Sequence, residues 1–258
     1  MKQVPELQDF IAGFAQANRQ AVCGLSAQRA SRVGDLMVMS TPDTVASRSE
    51  ASDIGAACHL VKQLCTSSEA NEFSMLPANR HLRWLRGRIA IKTAVQVGFR
   101  GHIARPLSAV DIDVYRDEHG APHVRVDGVS QAVFVSLTHK DNLSIAFMSA
   151  QRAVGLDYET VKPRSAAFLK LAFTPAELQL LEHIASPERL AWYTRLWCAK
   201  EAVSKSLGTG LKGRPKSWVT TQIDGERLLC HNQWVTTQQT ASGILAWTYR
   251  TSVSQQQP

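Results

Sequence analysis

Hydrophobic and polar positions in the second half of the chain follow two different periods. Over residues 154–159 the side chains alternate in the pattern of a strand that is buried on one face. From Trp197 onward the residues favour a helix, and Gly208 and Gly210 suit its C-terminal end. We therefore predict a short strand, followed later by a long helix that begins at Pro187.

The first half of the chain has its clearest helical pattern at residues 79–98. In this stretch Leu82, Leu85, Ile89 and Val95 lie on or near one apolar stripe. The remaining predicted elements are helices at 56–64 and 165–171 and strands at 36–40, 109–116, 122–126, 133–137, 143–149, 217–223, 227–235 and 244–251. Helices and strands in both halves predict an α/β (α+β) fold.

A further helix start is predicted at Thr174. Threonine suits the N-cap, Pro175 suits the first helical position, and Glu177 completes a capping box. Because Glu177 has this structural explanation, we assign it no catalytic part.

Three acidic side chains give the first indication of chemistry. On the predicted strand Asp157 and Glu159 share a face with Gly155, and the two carboxylates lie about 6.5 Å apart along the strand. They repel each other unless a cation lies between them. If the helix that carries Glu201 packs beside this strand, three carboxylates converge in the oxygen-rich environment that Mg²⁺ prefers. Gly155 adds no side chain to that face, so we expect a ligand backbone or phosphate to approach closely there.

The predicted helix also places an acid and a base together. Trp197, Glu201 and Lys205 follow one another at four-residue spacing and therefore lie along one stripe. A simpler interpretation stays open, namely an exposed Glu–Lys pair worth about 0.2–0.5 kcal/mol.

The helix at 79–98 repeats this four-residue spacing at Trp84, Arg88 and Lys92, with a cation in place of the acid. The repetition predicts two related halves, of which the second keeps the metal carboxylate and the first supplies positive charge. The alternative is a solvated basic face, which is the commoner role of such a helix.

Two motifs together resemble a known family. Residues 155–159 are G-L-D-Y-E, and residues 197–211 are W-C-A-K-E-A-V-S-K-S-L-G-T-G-L. In this order and spacing they resemble the signature pair of the 4′-phosphopantetheinyl transferases, in the larger type that activates surfactin synthetase. F-T-P-A-E at 173–177 is similar to a third family motif. The chain departs from the family at Cys198, where Ser or Thr is usual, and at Ala121, where a basic residue is common.

The resemblance implies a pseudo-dimer of two similar α/β halves, each a small sheet packed on a long helix, with the active site between them. We place the N-terminal, nucleotide-binding half at residues 1–151 and the C-terminal, metal-binding half at 152–258. The implied reaction is transfer of 4′-phosphopantetheine from coenzyme A to a serine of an acyl or peptidyl carrier protein, with release of 3′,5′-ADP. It requires Mg²⁺, with Mn²⁺ as the alternative metal. Fatty acid, polyketide and nonribosomal peptide pathways all remain open.

The resemblance also implies roles for particular residues. Asp157, Glu159 and Glu201 are expected to bind the metal. Glu201 is also expected to act as the general base, directly or through a metal-bound water, and Lys205 to reach a pyrophosphate oxygen as a catalytic cation. The residues expected at coenzyme A are Arg83, Arg88, Lys92, Thr138, His139 and Lys205.

Composition narrows the class of protein and its partners. The 258 residues provide ample core for one large domain or two small ones, and 44% apolar with 20% charged residues is ordinary for a soluble globular protein. The net charge of +7 suits an anionic partner, whether a nucleotide, a nucleic acid or an acidic protein, and does not choose among them. Five cysteines without a C-x-x-C pair indicate reduced thiols, and the acidic residues Glu6 and Asp9 argue against a signal peptide. We predict a cytoplasmic protein that binds neither membrane nor nucleic acid, and the family resemblance implies a monomer.

Two other classes of function stay open. A basic nucleic-acid-binding protein would account for the cationic helix, although no recognised motif with interleaved aromatic residues accompanies it. A metal-dependent phosphohydrolase would account for the carboxylates, although the chain lacks the further His and Asp clusters that two-metal sites usually need.

Overall fold

The computed structural model of the protein describes the backbone of residues 36–40 and residues 60–250, apart from 101, 102, 104, 128, 130, 131, 142 and 242. The described chain forms two compact units. The first unit contains residues up to 115 with 123–133 and 141–150, and the second contains 116–122, 134–140 and 151 onward. The predictions for residues 1–34, 41–59 and 251–258 lie outside the described residues.

The secondary structure mixes helices and strands throughout, which confirms the predicted α/β (α+β) class. In chain order the elements are β1 (Leu36–Ser40), α1 (Ser67–Ser74), α2 (Ala78–Gly98), β2 (Ile112–Arg116), β3 (Pro122–Val126), β4 (Phe134–Lys140), β5 (Leu143–Ser149), β6 (Val154–Thr160), α3 (Ala166–Ala172), α4 (Pro175–Gln179), α5 (Ser186–Ser206), β7 (Thr220–Asp224), β8 (Arg227–Cys230), β9 (Gln233–Gln239) and β10 (Gly243–Tyr249). Residues 60–64 are also helical.

The first unit is built around the long helix α2. Strand β1 pairs with β5 in antiparallel register, and α2 packs against both strands. Of the apolar stripe that predicted this helix, Leu85, Ile89 and Val95 are buried, while Leu82 is half-buried. Burial of the stripe explains why the 3.6-residue period located α2 correctly.

The second unit is built around the other long helix, α5. Its sheet is antiparallel, in the order β6-β10-β9-β8-β7, and α5 packs against β6, β10 and β9. The helix ends as predicted, because Gly208 and Gly210 adopt left-handed φ values of 72° and 62°. The amide of Gly208 donates to Lys205 O (3.0 Å), which satisfies one of the last helical carbonyls.

A buried ion pair holds the start of α1 against the middle of α2 in the first unit. Thr66 caps α1, and Glu69 completes a capping box with it. The Lys92 ammonium donates to Glu69 Oε2 (2.5 Å), Leu64 O (2.8 Å) and Ala109 O (2.9 Å). All three ammonium protons are therefore directed at acceptors within the protein.

The second unit repeats this arrangement. Thr174 caps α4 and Glu177 completes the predicted capping box. The Lys200 ammonium donates to Glu177 Oε2 (2.8 Å), Ala172 O (3.0 Å) and Pro215 O (3.0 Å). In each unit, a buried Lys–Glu ion pair thus connects the start of a short helix to the long helix. We call this arrangement the shared device.

This shared device corrects the internal alignment proposed from sequence. The predicted repeat paired Lys92 with Lys205, whereas the structure makes Lys92 equivalent to Lys200. In the corrected register Glu201 corresponds to Thr93, so the second unit alone carries an acid at this position. The two units share this arrangement, which the predicted repeat did not include. The domain limits at 1–151 and 152–258, and an active site between the halves, stay predictions.

The strand predicted at 227–235 is divided in two. His231 and Asn232 both have left-handed φ values, 46° and 62°, and join β8 to β9 as a two-residue turn. Two successive left-handed residues are what a tight type I′ hairpin requires, and Asn tolerates this conformation better than most residues. The run of strand-favouring residues on either side concealed the turn.

Candidate active site

The face of β6 that carries the acidic residues lies against α5. A β-carbon added to Gly155 would lie 1.8 Å from Ala202 O and 2.7 Å from Ser206 N, so the backbones of β6 and α5 approach closely at this glycine. The period of two puts Asp157 and Glu159 on the same face as Gly155, as predicted. The prediction that a ligand approaches at Gly155 is wrong, because the helix itself occupies that space.

Helix α5 adds a lysine and a glutamate to this face. Lys205 Nζ donates to Asp157 Oδ1 (2.7 Å) and to Leu156 O (3.1 Å). Glu201, one turn earlier, is half-buried. Asp157 is buried, whereas 28% of the Lys205 side chain is exposed, so this lysine bridges the buried carboxylate and the solvent.

Electrostatics link the three predicted carboxylates. Burial raises the pKa of Glu201, and the negative charge of Asp157 raises it further, with a smaller contribution from Glu159. The Lys205 ammonium opposes this effect and lowers the pKa of Glu201. Because Glu201 is half-buried and Lys205 pairs with Asp157, the simpler interpretation of an exposed Glu–Lys pair does not hold.

Strand β4 completes the surroundings of the β6 acids. Thr138 Oγ1 donates to Asp157 Oδ1 (3.1 Å), and the Lys140 ammonium pairs with Glu159. Because side chains alternate along a strand, the half-buried His139 lies on the opposite face of β4 from these two residues. The predicted Thr138 thus joins the acidic cluster directly, and His139 does not share its face.

An arginine that the sequence analysis missed lies beside this cluster. Arg164 Nη2 is 3.7 Å from Glu159 Oε2, and the guanidinium lies 4.8 Å from the Phe168 ring centroid. Its Nε and Nη2 atoms are buried and have no hydrogen-bond acceptor in the described part of the chain. These two donors form one bidentate fork, which suits an oxyanion. No motif pointed to Arg164, because it follows the strand in an irregular segment.

Comparison with known proteins identifies the family. The sequence model described as the 4′-phosphopantetheinyl transferase superfamily matches residues 153–251. The holo-[acyl-carrier-protein] synthase of Bacillus subtilis is 33% identical over 103 residues, an alignment that covers 40% of this chain and 85% of that protein. The chain belongs to the 4′-phosphopantetheinyl transferase superfamily. The predicted family and class of enzyme are therefore confirmed.

Other relatives of this transferase differ in length. The holo-[acyl-carrier-protein] synthase of Bacillus pumilus is 33% identical over 94 residues, an alignment that covers 36% of this chain and 78% of that protein. The 4′-phosphopantetheinyl transferase HetI of a Nostoc species is 27% identical over 97 residues, at 37% of this chain and 41% of that protein. The chain thus matches under half the length of this relative.

Solved structures of holo-acyl-carrier-protein synthases are also similar to part of the transferase. The Bacillus anthracis protein, in complex with CoA (3′,5′-ADP), is 21% identical and has a TM-score of 0.38, covering 45% of this chain and 93% of that one. The Mycobacterium tuberculosis protein is 26% identical and has a TM-score of 0.32, covering 46% of this chain and 97% of that one. In the described residues of the transferase, no helix has the length and apolar character to span a membrane.

Two predicted coenzyme A contacts of the transferase need correction. Arg88 and Lys92 each have 2% of their surface exposed, and both side chains pair with the buried Glu69. Arg88 also pairs with Glu72 (2.5 Å). Since Lys92 directs all its donors inward, we withdraw the prediction that Arg88 and Lys92 bind coenzyme A phosphates. Arg83, on the same helix, is exposed and keeps its predicted role.

The acidic side chains of the transferase have the chemistry of a magnesium site, although ammonium groups hold two of them. Among the described residues, no three His, Cys, Asp or Glu side chains are gathered closely enough to form a metal site. The Lys205 and Lys140 ammonium groups contact Asp157 and Glu159 instead. Asp157 Oδ2 is nevertheless buried without a hydrogen-bond partner in the described chain. Because a buried carboxylate oxygen without a donor suits a cation, Asp157 offers one ligand position to Mg²⁺, although the described residues do not gather the three carboxylates around one point.

Proposed function

We propose that this enzyme transfers 4′-phosphopantetheine from coenzyme A to a serine of an apo acyl or peptidyl carrier protein, in a Mg²⁺-dependent reaction that releases 3′,5′-ADP. One observation carries the proposal. In a chain that belongs to this superfamily, the acid-bearing face of β6 meets Glu201 and Lys205 of α5, with Lys205 Nζ 2.7 Å from Asp157 Oδ1.

The residues that would hold the metal are Asp157, Glu159 and Glu201. A divalent cation bound there supplies Lewis-acid stabilisation of charge on the phosphoryl oxygens. The unpartnered Asp157 Oδ2 and the raised pKa of Glu201, caused first by burial and then by the charge of Asp157, both support a cation among these carboxylates.

Lysine side chains provide the remaining positive charge. Lys205 is partly exposed and reaches Asp157 from the end of α5, so its ammonium is placed to move from the carboxylate to a pyrophosphate oxygen of coenzyme A. Lys140 and Arg164 both approach Glu159 Oε2 and add two further cations. Negative charge on the phosphate oxygens grows in the transition state. These cations therefore stabilise the transition state more than the ground state.

Glu201 is the residue we assign as general base. Glu201 lies one helical turn before Lys205 on α5, and burial raises its pKa from the ordinary value of a glutamate. A base whose pKa is nearer to neutral accepts the proton of a serine hydroxyl more readily. The P–O bond to the serine forms as the P–O bond to 3′,5′-ADP breaks. Arg83, Thr138 and His139 remain our candidates for contacts with the nucleotide.

Mass spectrometry of the carrier protein tests this function. Incubation of the enzyme with coenzyme A, Mg²⁺ and an apo carrier protein is expected to yield a carrier heavier by one phosphopantetheine, together with 3′,5′-ADP. Unmodified carrier would contradict the proposal. Release of inorganic phosphate, or salt-sensitive binding of DNA, would instead favour the phosphohydrolase or the nucleic-acid-binding alternative.

A further inference from the structure

A short basic loop follows α5 in the second unit. Lys212, Arg214 and Lys216 alternate with Gly213 and Pro215, and all three cationic side chains are exposed. None of the three forms an ion pair with a residue that the structure describes. Most cations near the acidic cluster are engaged by carboxylates, so this loop differs in leaving three neighbouring positive charges uncompensated.

The backbone of the basic loop is held in a defined conformation. Lys212 and Gly213 have left-handed φ values of 49° and 68°. The Arg214 amide donates to Leu211 O (2.9 Å), and the Ser217 amide donates to Arg214 O (3.0 Å). A lysine in the left-handed region costs about 1–2 kcal/mol, and such strain is concentrated at functional positions. The backbone of the loop therefore holds its three cationic residues at defined positions.

The loop is also tied to the candidate active site. Lys200 Nζ donates to Pro215 O (3.0 Å), at the centre of the loop, and Lys200 immediately precedes Glu201 on α5. The loop is thus anchored to α5, the helix that also carries Glu201 and Lys205.

We propose that Lys212, Arg214 and Lys216 dock the acidic surface of the carrier protein. This inference rests on the proposed function, which supplies a protein partner. Three side chains that are each exposed to solvent match an extended anionic surface, whereas a single phosphate is usually bound by converging and partly buried donors. The net charge of +7 adds long-range attraction for the same partner.

Charge reversal of the loop tests the proposal. The variant carries Lys212→Glu, Arg214→Glu and Lys216→Glu, and its matched control carries Lys62→Glu, Arg100→Glu and Arg116→Glu at exposed positions elsewhere. Both variants have the same net charge. At low salt we expect the loop variant to raise the KM for the carrier about 10- to 100-fold, while the control raises it far less. The loop variant should also lose most of the salt dependence of that KM.

The KM for coenzyme A shows whether the loop binds the carrier protein or a phosphate of the nucleotide. We expect it to be unchanged in the loop variant. A rise in the KM for coenzyme A alone would assign the loop to a nucleotide phosphate and overturn the proposal. Equal KM values for the carrier in the loop variant and the control would also overturn it.

Direct binding of the apo carrier, measured without coenzyme A, distinguishes a failure of docking from a failure of the proposed function. If the wild-type enzyme binds the carrier but transfers nothing, the proposed function fails while the docking surface stands. If both charge-reversed variants bind the carrier equally well, the docking surface fails whether or not transfer occurs.

Discussion

Lys200 and Glu177 form an ion pair from which solvent is excluded, since each side chain has 0% of its surface exposed. Replacement of Lys200 with Met removes the cation and leaves the Glu177 carboxylate charged and buried. It also leaves Ala172 O and Pro215 O without their donor. Breaking a buried pair from one side costs about 3–5 kcal/mol, and each orphaned carbonyl adds to this cost. We expect Lys200→Met to lower the free energy of unfolding by about 4 kcal/mol.

A double-mutant cycle isolates the ion pair from the other roles of Glu177. Glu177→Leu also breaks the capping box with Thr174 and the bond from the Thr220 amide (2.9 Å), but these losses are independent of Lys200. They cancel in the cycle, so the double variant Lys200→Met/Glu177→Leu should be more stable than additivity predicts by about 2 kcal/mol. Urea unfolding of the four proteins measures this difference.

Two further variants serve as internal comparisons for the cycle. Lys92→Met removes the equivalent cation of the first unit and should cost about 3–5 kcal/mol as well. Lys170→Met changes an exposed lysine and should lie within about 0.5 kcal/mol of the wild type. If Lys200→Met is as stable as Lys170→Met, or if the two single changes are additive, our reasoning about a shared structural device is refuted.

Three more predictions concern the interface of β6 and α5. Gly155→Ala should cost about 3 kcal/mol or more, because its β-carbon would lie 1.8 Å from a backbone oxygen where real contacts exceed 3.0 Å. Gly225→Ala, with open space around it but φ +58°, should cost only about 1 kcal/mol in the same urea assay. Glu201→Gln should abolish transfer yet raise the urea midpoint at pH 7, since burial raises the pKa of Glu201 and disfavours its ionised form. This gain should shrink as the pH falls and the wild-type carboxyl becomes protonated, and a constant gain would contradict the assignment. Lys205→Ala should lower kcat/KM about 100-fold or more with the far-ultraviolet circular dichroism unchanged, and an unaltered kcat/KM would remove Lys205 from the mechanism.

Periodic patterns located the main elements because burial follows them. The alternation in β6 and the apolar stripe of α2 both face protein in the structure, so the period of two and the period of 3.6 were reliable guides. The acidic face of β6 was predictable for the same reason, whereas its packing against α5 was a condition of the predicted metal site that only the structure could supply. The family motifs then indicated which polar residues on these elements matter.

Buried lysines were the main feature that the sequence concealed. Lys92 and Lys200 look like any charged residue on a helix, and their burial depends on Glu69 and Glu177, which are distant in sequence. The same distance explains why a four-residue spacing gave the wrong internal register. A long-range contact of this kind has no local signal, and of the two capping boxes only that of Glu177 was recognised from the sequence.

Residues outside regular structure were also missed. Arg164 lies in the irregular segment after β6, and neither a hydrophobic period nor a motif applies there. Its relation to Glu159 became visible only through the distance of 3.7 Å between Nη2 and Glu159 Oε2, and through the lack of a hydrogen-bond acceptor for Nε and Nη2 among the described residues.

Divalent metal binding tests the central claim of this account most directly. Titration of the enzyme with Mn²⁺ in the presence of coenzyme A, with the free ion followed by electron paramagnetic resonance, counts the bound ions without requiring turnover. We predict saturable binding to the wild type, and loss of that binding in Asp157→Asn and Glu201→Gln. Wild-type Mn²⁺ binding in both variants would contradict the assignment of these carboxylates to the metal.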